Sequence, residues 1–574
     1  MNFNIEVNNR ALQAIRGETI LAALQRNGIR IPTLCHMKDF TPTGACRICV
    51  VEVEGQDDLI TACSHPVEEW MKIKTHSLKV IEARKTIIEL LLANHPDDCL
   101  YCIRNNRCEL QSLAESHNVR DRKFRGHKNI QHIDLSSASI VSDMSKCVLC
   151  SRCIRVCDEL MKVSTLNFIG RGNQTIVGPT LNKELNVSSC ITCGQCILVC
   201  PTAALHENDQ FTPVFEAFHQ QKKHLVFQCS QTVQVSVGEE LGHKPGKNFQ
   251  GAITSAMHRI GFNRVFDVSF AVDVMIMELT QLILERLAAG ITTPVYSSDC
   301  PAWVKYVEQT FPEMIPDLST VKSPQQIMGS LVKSYYAESY KVPAENIFVV
   351  SGEPCTARKF EAQREEMIQH GISDIDSVMT TRELAKFIRL NGIEPDQDNS
   401  ENQDLPFASG SGSGYLAGTS GGVTEALIRN LYHHIHGQDV QSSKINKIRS
   451  VKGIREIRIR IGEHDMGFVI INGLGNFEEF RTTMGNRLNG IHFVEVMACP
   501  GGCVNGGGQP LKMPDENIRI RSKTLFELDD KEQVKPPLKN PFVQKVYRDY
   551  LSEPGSTKAK SLLYTEFKPR EVLL

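Results

Sequence analysis

Residues 147–157, CVLCSRCIRVC, and 190–201, CITCGQCILVCP, are one pattern written twice. Each reads Cys-x2-Cys-x2-Cys-x3-Cys, and the second run closes on Cys200-Pro201. At this spacing three thiolates hold one [4Fe–4S] cubane while the fourth reaches across to a second. The repeat therefore reads as two crossed sets. Cys147, Cys150, Cys153 and Cys200 take one cluster. Cys190, Cys193, Cys196 and Cys157 take the other. Asp158 stands where the second run has proline, which leaves the ligands intact.

Two further groups lie upstream. Cys35-x10-Cys46-x2-Cys49-x13-Cys63 follows a strand-like FNIEVNN and a short helix, TILAALQRNGI, ended by Gly28. VVEVEG after Cys49 reads as another strand. This suits a small β-grasp domain holding a [2Fe–2S] cluster; zinc is the weaker reading, because only one close pair is present. His95-x3-Cys99-x2-Cys102-x5-Cys108 follows the helical run VIEARKTIIELLLANH. Three cysteines are one ligand short of a cubane, and His95 supplies the fourth. An imidazole makes such a cluster less anionic and moves its potential. Four clusters in series make a wire for single electrons.

Twenty cysteines in 574 residues fall short of the about 8–10% of a short disulfide scaffold. The N-terminus carries no export signal, so a reducing cytoplasm is expected, where thiols bind metal rather than pair. A net charge of −2 offers no field for nucleic acid. No run of 18 apolar residues spans a membrane.

Past residue 210 the texture changes. HLVFQCS, NRVFDVSF, TPVYSSDC, NIFVVSGEPC, GFVIING and HFVEVMACP read as strands. VDVMIMELTQLILERLAAG, SPQQIMGSLVKSYYAESY and TTRELAKFIRL read as helices between them. This alternation argues an α/β domain with largely parallel sheets. Cys300, Cys355 and Cys499 each follow a strand, where α/β folds bind ligands. With Cys503, on the glycine-rich turn Cys499-Pro500-Gly501-Gly502-Cys503, they make four thiolates, enough for a further cubane. The expected architecture is α/β multidomain. It comprises a [2Fe–2S] ferredoxin-like domain (1–79), a His95 and three-cysteine [4Fe–4S] domain (80–126), a two-cluster ferredoxin-like domain (127–209) and a large domain (210–574).

Three segments resemble the signatures of the [FeFe]-hydrogenases: Ser298-Asp299-Cys300-Pro301-Ala302-Trp303, Glu353-Pro354-Cys355-Thr356-Ala357-Arg358-Lys359-Phe360-Glu361 and Glu495 through Cys503. The whole chain resembles the long clostridial type, with four accessory clusters ahead of the catalytic domain. FVQKVYRDYLSEPGSTKAKSLLYTEF resembles a part that is a separate small subunit in some relatives. The resemblance implies that Cys300, Cys355, Cys499 and Cys503 hold the [4Fe–4S] part of an H-cluster. Cys503 would also bridge to a diiron subsite with carbon monoxide, cyanide and an azadithiolate. It implies one [2Fe–2S], three accessory [4Fe–4S] clusters, dihydrogen and protons as substrates, ferredoxin or flavodoxin as electron partner, and dedicated maturation enzymes. It also carries over Ser319, Arg358 and Glu361 near the reaction. Gln231, Thr232, Ser323, Gln325, Glu353, Pro354 and Met497 carry over as pocket residues.

The departures gather at the site. The family has Met before Pro-Cys and Lys three residues after the Cys; here these are Glu353 and Arg358. Arginine keeps the charge with a different fork. Glu353, if buried, is expected either protonated or turned away. The family's proton-relaying cysteine is Asp299 here, and a carboxylate can relay protons too. Its outer glutamates correspond to Leu279 and Leu282, while Ser319 is retained and Glu278 and Glu285 stay nearby. The pocket segment is Ser230-Gln231-Thr232-Val233-Gln234, beside Cys229, which reads as a packed strand thiol. The leading function is a ferredoxin hydrogenase with Asp299 as proton relay. The alternatives are a hydrogen-sensing relative with slow turnover, an electron-transfer subunit of a larger complex, and a maturation-type protein without the diiron unit.

Overall fold

The computed structural model describes residues 2–572 apart from 122, 127, 129–131, 221, 396–399, 451, 485–487 and 512–514. The strand expected in FNIEVNN is Asn2–Val7. A second strand, Arg10–Ile15, folds back on it, with Asn8 and Asn9 at φ 50° and 64°. Two successive left-handed residues make the tight turn that matches strand twist, and asparagine tolerates that conformation. The second strand is mostly exposed, so its sequence lacks the apolar alternation that marks a strand. The sheet has five strands, in the order Arg10–Ile15, Asn2–Val7, Lys72–Lys74, Val50–Val53 and Ile60–Thr61. Thr19 caps the helix Ile20–Arg26, its hydroxyl accepting from Ala22 N at 3.2 Å. Ser77 caps Leu78–Asn94 in the same way, and that helix ends on His95 in extended conformation.

Two four-stranded sheets build the large domain. In one, Arg264–Asp267, His224–Cys229, Ile347–Glu353 and Ser377–Thr380 run parallel. Their near-continuous apolar runs are those of strands buried on both faces. In the other, Val295–Tyr296, Ile491–Met497 and His464–Asn472 are parallel and Ile454–Ile461 is antiparallel at the edge. IREIRIRI alternates buried and exposed along that edge, as one covered face requires. The strand read in NRVFDVSF stops at Asp267. Its carboxylate accepts from Ser269 N at 2.8 Å and starts the long helix Val268–Ala288 there. The single helix read in SPQQIMGSLVKSYYAESY is Pro324–Leu331 and Ala337–Tyr340, joined through a π-bulge. Among the described residues, no helix is long and apolar enough to cross a membrane.

The largest core draws on distant parts of the chain. Phe266, Ile276, Leu331, Val349, Leu427 and Phe493 meet Tyr547, Leu551 and Leu563 there. The segment carrying the last three is strapped on by main-chain bonds, Lys322 N to Leu563 O and Thr565 N to Thr320 O, both 2.8 Å. Buried Glu278 fastens it further, accepting from the hydroxyls of Tyr547 at 2.5 Å and Tyr564 at 2.8 Å and from Gly555 N at 2.9 Å.

His258 anchors the segment leading to the site. Its Nδ1 is 2.6 Å from Glu401 Oε2 and its Nε2 2.9 Å from Asp404 Oδ2. Only the imidazolium donates to both. Burial opposes the charge, but the two carboxylates prevail and hold the imidazole above its usual value. A raised histidine stabilises the fold fully below its unfolded value, and that stability is lost as pH rises through the folded value. The protection of amides across 401–405, with intrinsic exchange divided out, is therefore expected to weaken from about pH 6.5 upward, and a His258→Gln variant is expected to lose that weakening.

Candidate active site and cluster ligands

The N-terminal thiols are buried together; Cys35 N donates to Cys46 Sγ at 3.4 Å, and Cys63 interacts with both Cys35 and Cys49. His95 is buried, and its Nδ1 has no partner. Burial pushes the imidazole down to about 4, so it stays neutral, the form that binds metal. Cys108 is pushed up by burial, then by its neighbours Cys102 and Cys99. Burial, then the charges of Cys150, Cys200 and Cys147, raises Cys153. Cys196 is raised by burial, then by Cys193, Cys190, Cys153 and Cys157. Cys200 thus stands among the first run and Cys157 among the second.

The groups do not lie in series. Arg155 donates to Cys35 O, and Leu34, Cys35, Cys46 and Cys150 share one small core. On another side, buried Arg104 feels both Cys200 and Cys108, and its Nη2 donates to Ile197 O at 2.9 Å. Glu109 N donates to Pro201 O at 2.9 Å. Both peripheral groups meet the set containing Cys150 and Cys200, so the cysteine groups branch from that set rather than following one line.

In the large domain, the carboxyl ends of both sheets bring four thiols together. Cys300 follows Val295–Tyr296 and begins the helix Pro301–Thr310. Cys355 follows Ile347–Glu353, and Cys499 follows Ile491–Met497. Cys499 is raised by burial and then by Cys355, Cys193, Cys300 and Cys503. Cys503 lies in the turn after Gly502, whose φ of +94° and close approach to Gly418 O admit no side chain. Burial raises the Cys503 thiol well above its usual value, and the charge of Arg358 pulls against that rise. Arg358 Nη1 is 2.7 Å from Glu361 Oε2 and its Nε 3.7 Å from Glu353 Oε2. Gln325 Nε2 also donates to Glu361 Oε2, at 3.2 Å. Asp299 is buried; burial raises its carboxyl to about 6, against the pull of Arg358 and with the push of Glu361.

Residues 223–507 match the family described as iron only hydrogenase large subunit, C-terminal domain. Residues 515–570 match the iron hydrogenase small subunit. Upstream, 1–77 match a 2Fe-2S cluster binding domain, 84–123 an iron–sulfur binding region of NADH-ubiquinone oxidoreductase-G, and 137–206 a ferredoxin-like domain of NADH-quinone oxidoreductase subunit 3. The NADP-reducing hydrogenase subunit HndD of Solidesulfovibrio fructosivorans is 37% identical over 99% of this chain and 99% of its own length. The chain belongs to the [FeFe]-hydrogenase family. Iron hydrogenase 1 of Clostridium pasteurianum is 35% identical over 96% of this chain and 97% of its own. A solved variant of an [FeFe]-hydrogenase from Chlamydomonas reinhardtii is 30% identical, covers 63% of this chain and 100% of that one, and superposes with a TM-score of 0.57. The protein is an [FeFe]-hydrogenase-type oxidoreductase with an iron–sulfur electron relay and no membrane-spanning helix among its described residues.

This hydrogenase leaves several buried polar atoms without partners: Asp299 Oδ1, Gln231 Oε1, Ser323 Oγ, Gln325 Oε1 and Ser413 Oγ. Native interiors seldom do so, which marks these as places where a bound group supplies partners. Together with the all-thiol donor set, they fit an H-cluster. Gln231 Nε2 donates to Gly414 O at 3.0 Å, and Thr232 packs where a side chain on Gly418 would fall. Pro354 O accepts from Gly508 N at 2.8 Å, and Met497 is buried in the main core. Ser319 is occupied locally, its Oγ accepting from Val321 N at 3.2 Å. Leu279 is in the apolar core and Leu282 packs against it.

Of the two courses expected for Glu353, the structure favours the protonated one over the turned-away one. The side chain is buried, accepts from Ser351 Oγ at 3.2 Å, and sits beside Arg358; burial lifts it to about 7 against that cation. Cys229 packs among Phe227, Val350 and Met379. Two buried groups were given no role at the site by the sequence, although Glu495 opens one of the signature segments. Glu495 feels Asp299 and is lifted by burial to about 7. Gln195 reaches Cys499 across 304 residues.

Proposed function

We propose that the protein interconverts protons and dihydrogen at an H-cluster on Cys300, Cys355, Cys499 and Cys503, with Asp299 as the nearest proton relay of the chain. When bound, the cluster would supply an iron site with an open position for splitting or forming dihydrogen. The carrying observation is the convergence of four thiols with buried Asp299 and Arg358 at the carboxyl ends of two sheets. Asp299 Oδ1 is unpartnered, so it is free to take and pass a proton. Arg358 is the buried cation of the pocket, paired with Glu361 and Glu353, and its charge also acts on Cys503.

The accessory set is one [2Fe–2S] cluster on Cys35, Cys46, Cys49 and Cys63 and three [4Fe–4S] clusters, one including His95. Ferredoxin or flavodoxin is the proposed partner at the peripheral branches. The HndD relative is named for NADP reduction, so an assembly that passes electrons on to NADP is the competing use of the same relay. Cysteines proposed as cluster ligands rather than disulfide partners suit a reducing cytoplasm. Hydrogen sensing with slow turnover is the second reading, favoured by Leu279 and Leu282 in apolar packing. Expression with the maturation enzymes is expected to yield carbonyl and cyanide infrared bands and hydrogen turnover with reduced ferredoxin. Matured protein without those bands refutes the main reading; bands with negligible turnover support the second.

A further inference from the structure

We propose that Gln195 is a positioning residue whose side-chain amide raises the reduction potential of the catalytic cubane through a hydrogen bond to Cys499. Gln195 lies inside Cys193-Gly194-Gln195-Cys196 and is 4% exposed. Its Nε2 is 3.2 Å from Cys499 Sγ and 2.7 Å from Asn505 O. An amide nitrogen has two hydrogens, and these contacts use both. The bond to Asn505 fixes the side chain, and the other hydrogen is left aimed at sulfur. The main-chain N–H of the same residue lies near the Cys193 thiol and favours its thiolate. Gln195 therefore serves a ligand of each neighbouring set, one through its side chain and one through its backbone.

The two ligand loops are pressed together here. A Cβ on Gly507 would fall 2.2 Å from Cys193 O, and one on Gly194, at φ +72°, 2.4 Å from Thr356 Oγ1. Thr356 Oγ1 also donates to Thr192 O at 2.7 Å. A donor on a cluster sulfur favours the reduced, more anionic state and raises the potential. Substitution of the side chain removes that donor from the Cys499 set and leaves the backbone N–H beside the Cys193 set in place.

The inference rests on the proposed ligand roles of Cys499 and Cys193. The test uses the matured holoenzyme and Gln195→Met, which keeps length and loses both donors. Infrared spectroelectrochemistry reads the oxidised and reduced cubane, and paramagnetic resonance reads the accessory clusters. At the potential where the parent cubane is half reduced, the reduced-to-oxidised ratio is expected to fall about three- to tenfold, tenfold being 59 mV for one electron. The accessory midpoints are expected to stay. Gln195→Glu places an oxygen where the amide nitrogen was; it is expected to shift the ratio the same way, and more at high pH than at low. An unchanged ratio in both variants, or an equal shift of the accessory clusters, overturns the proposal. Failure of the ligand assignment looks different: Cys499→Ala would then keep the cubane signals of the parent.

Discussion

Asp299→Asn is expected to lower hydrogen turnover about 10²- to 10⁴-fold, the usual worth of a positioned acid–base group, with the infrared bands of the cofactor retained. Asparagine keeps the shape and the buried volume, so binding of the cluster should survive. What it loses is the proton. Asp299 is 6% exposed, and burial lifts its carboxyl to about 6 even with Arg358 pulling the other way. A group titrating there both takes and gives protons near neutrality, which asparagine cannot do. Asp299→Glu keeps the chemistry and lengthens the arm, and is expected to retain more activity than the asparagine variant. Full turnover in Asp299→Asn would remove Asp299 from the proton route.

Arg358→Leu is expected to destabilise the apo protein by about 3–5 kcal/mol, the cost of stranding buried charges. The guanidinium lies 2.7 Å from Glu361 and 3.7 Å from Glu353, and all three side chains are buried. Glu353 is already held near 7 against the pull of this cation, and without the cation its folded value rises further. A carboxyl raised above its unfolded value binds more protons in the folded state, so stability falls as pH rises until the folded value is passed. The parent stops losing stability on this account near pH 7 and the variant continues, so the extra deficit opens above about 7. The deficit should therefore be larger at pH 8 than at pH 5 in denaturant titrations. Arg358→Lys keeps one cation without the fork and is expected to fall between. A deficit independent of pH would mean that lost packing, rather than stranded charge, is the cause.

What could be read beforehand was local. The cysteine runs declare themselves because one cluster gathers ligands a few residues apart, so Cys147 to Cys157 and Cys190 to Cys200 need no fold to be recognised. His95 stood out because it ends a helix beside an incomplete thiolate set. The ion pair of Arg358 with Glu361 also lies within one helical turn. Features made by distant segments were silent. Nothing near Gln195 points to Cys499, and nothing near Cys150 points to Cys35. Arg10–Ile15 was missed because an exposed strand has no alternation to show. The boundary at Asp267 was misplaced because Val268 and Phe270 suit a buried strand as well as a buried helix, and only the capping carboxylate decides between them. The choice between protonation and escape for Glu353 stayed open in the sequence because its cation is five positions on, past Cys355, and approaches only in the fold.

The strap carrying Tyr547, Leu551 and Leu563 bears on how the protein comes into being. A ribosome adding about 5–20 residues per second delivers the strand His224–Cys229 roughly tens of seconds before that strap. Throughout that interval, the face of Val268–Ala288 that Tyr547 and Tyr564 will close stays open to water, with Glu278 lacking its three donors. Contacts of such wide sequence separation also form late once synthesis is done. The newborn chain thus passes a long interval with an unfinished, apolar flank, and its yield in the cell depends on what shields that flank until the closing segment arrives.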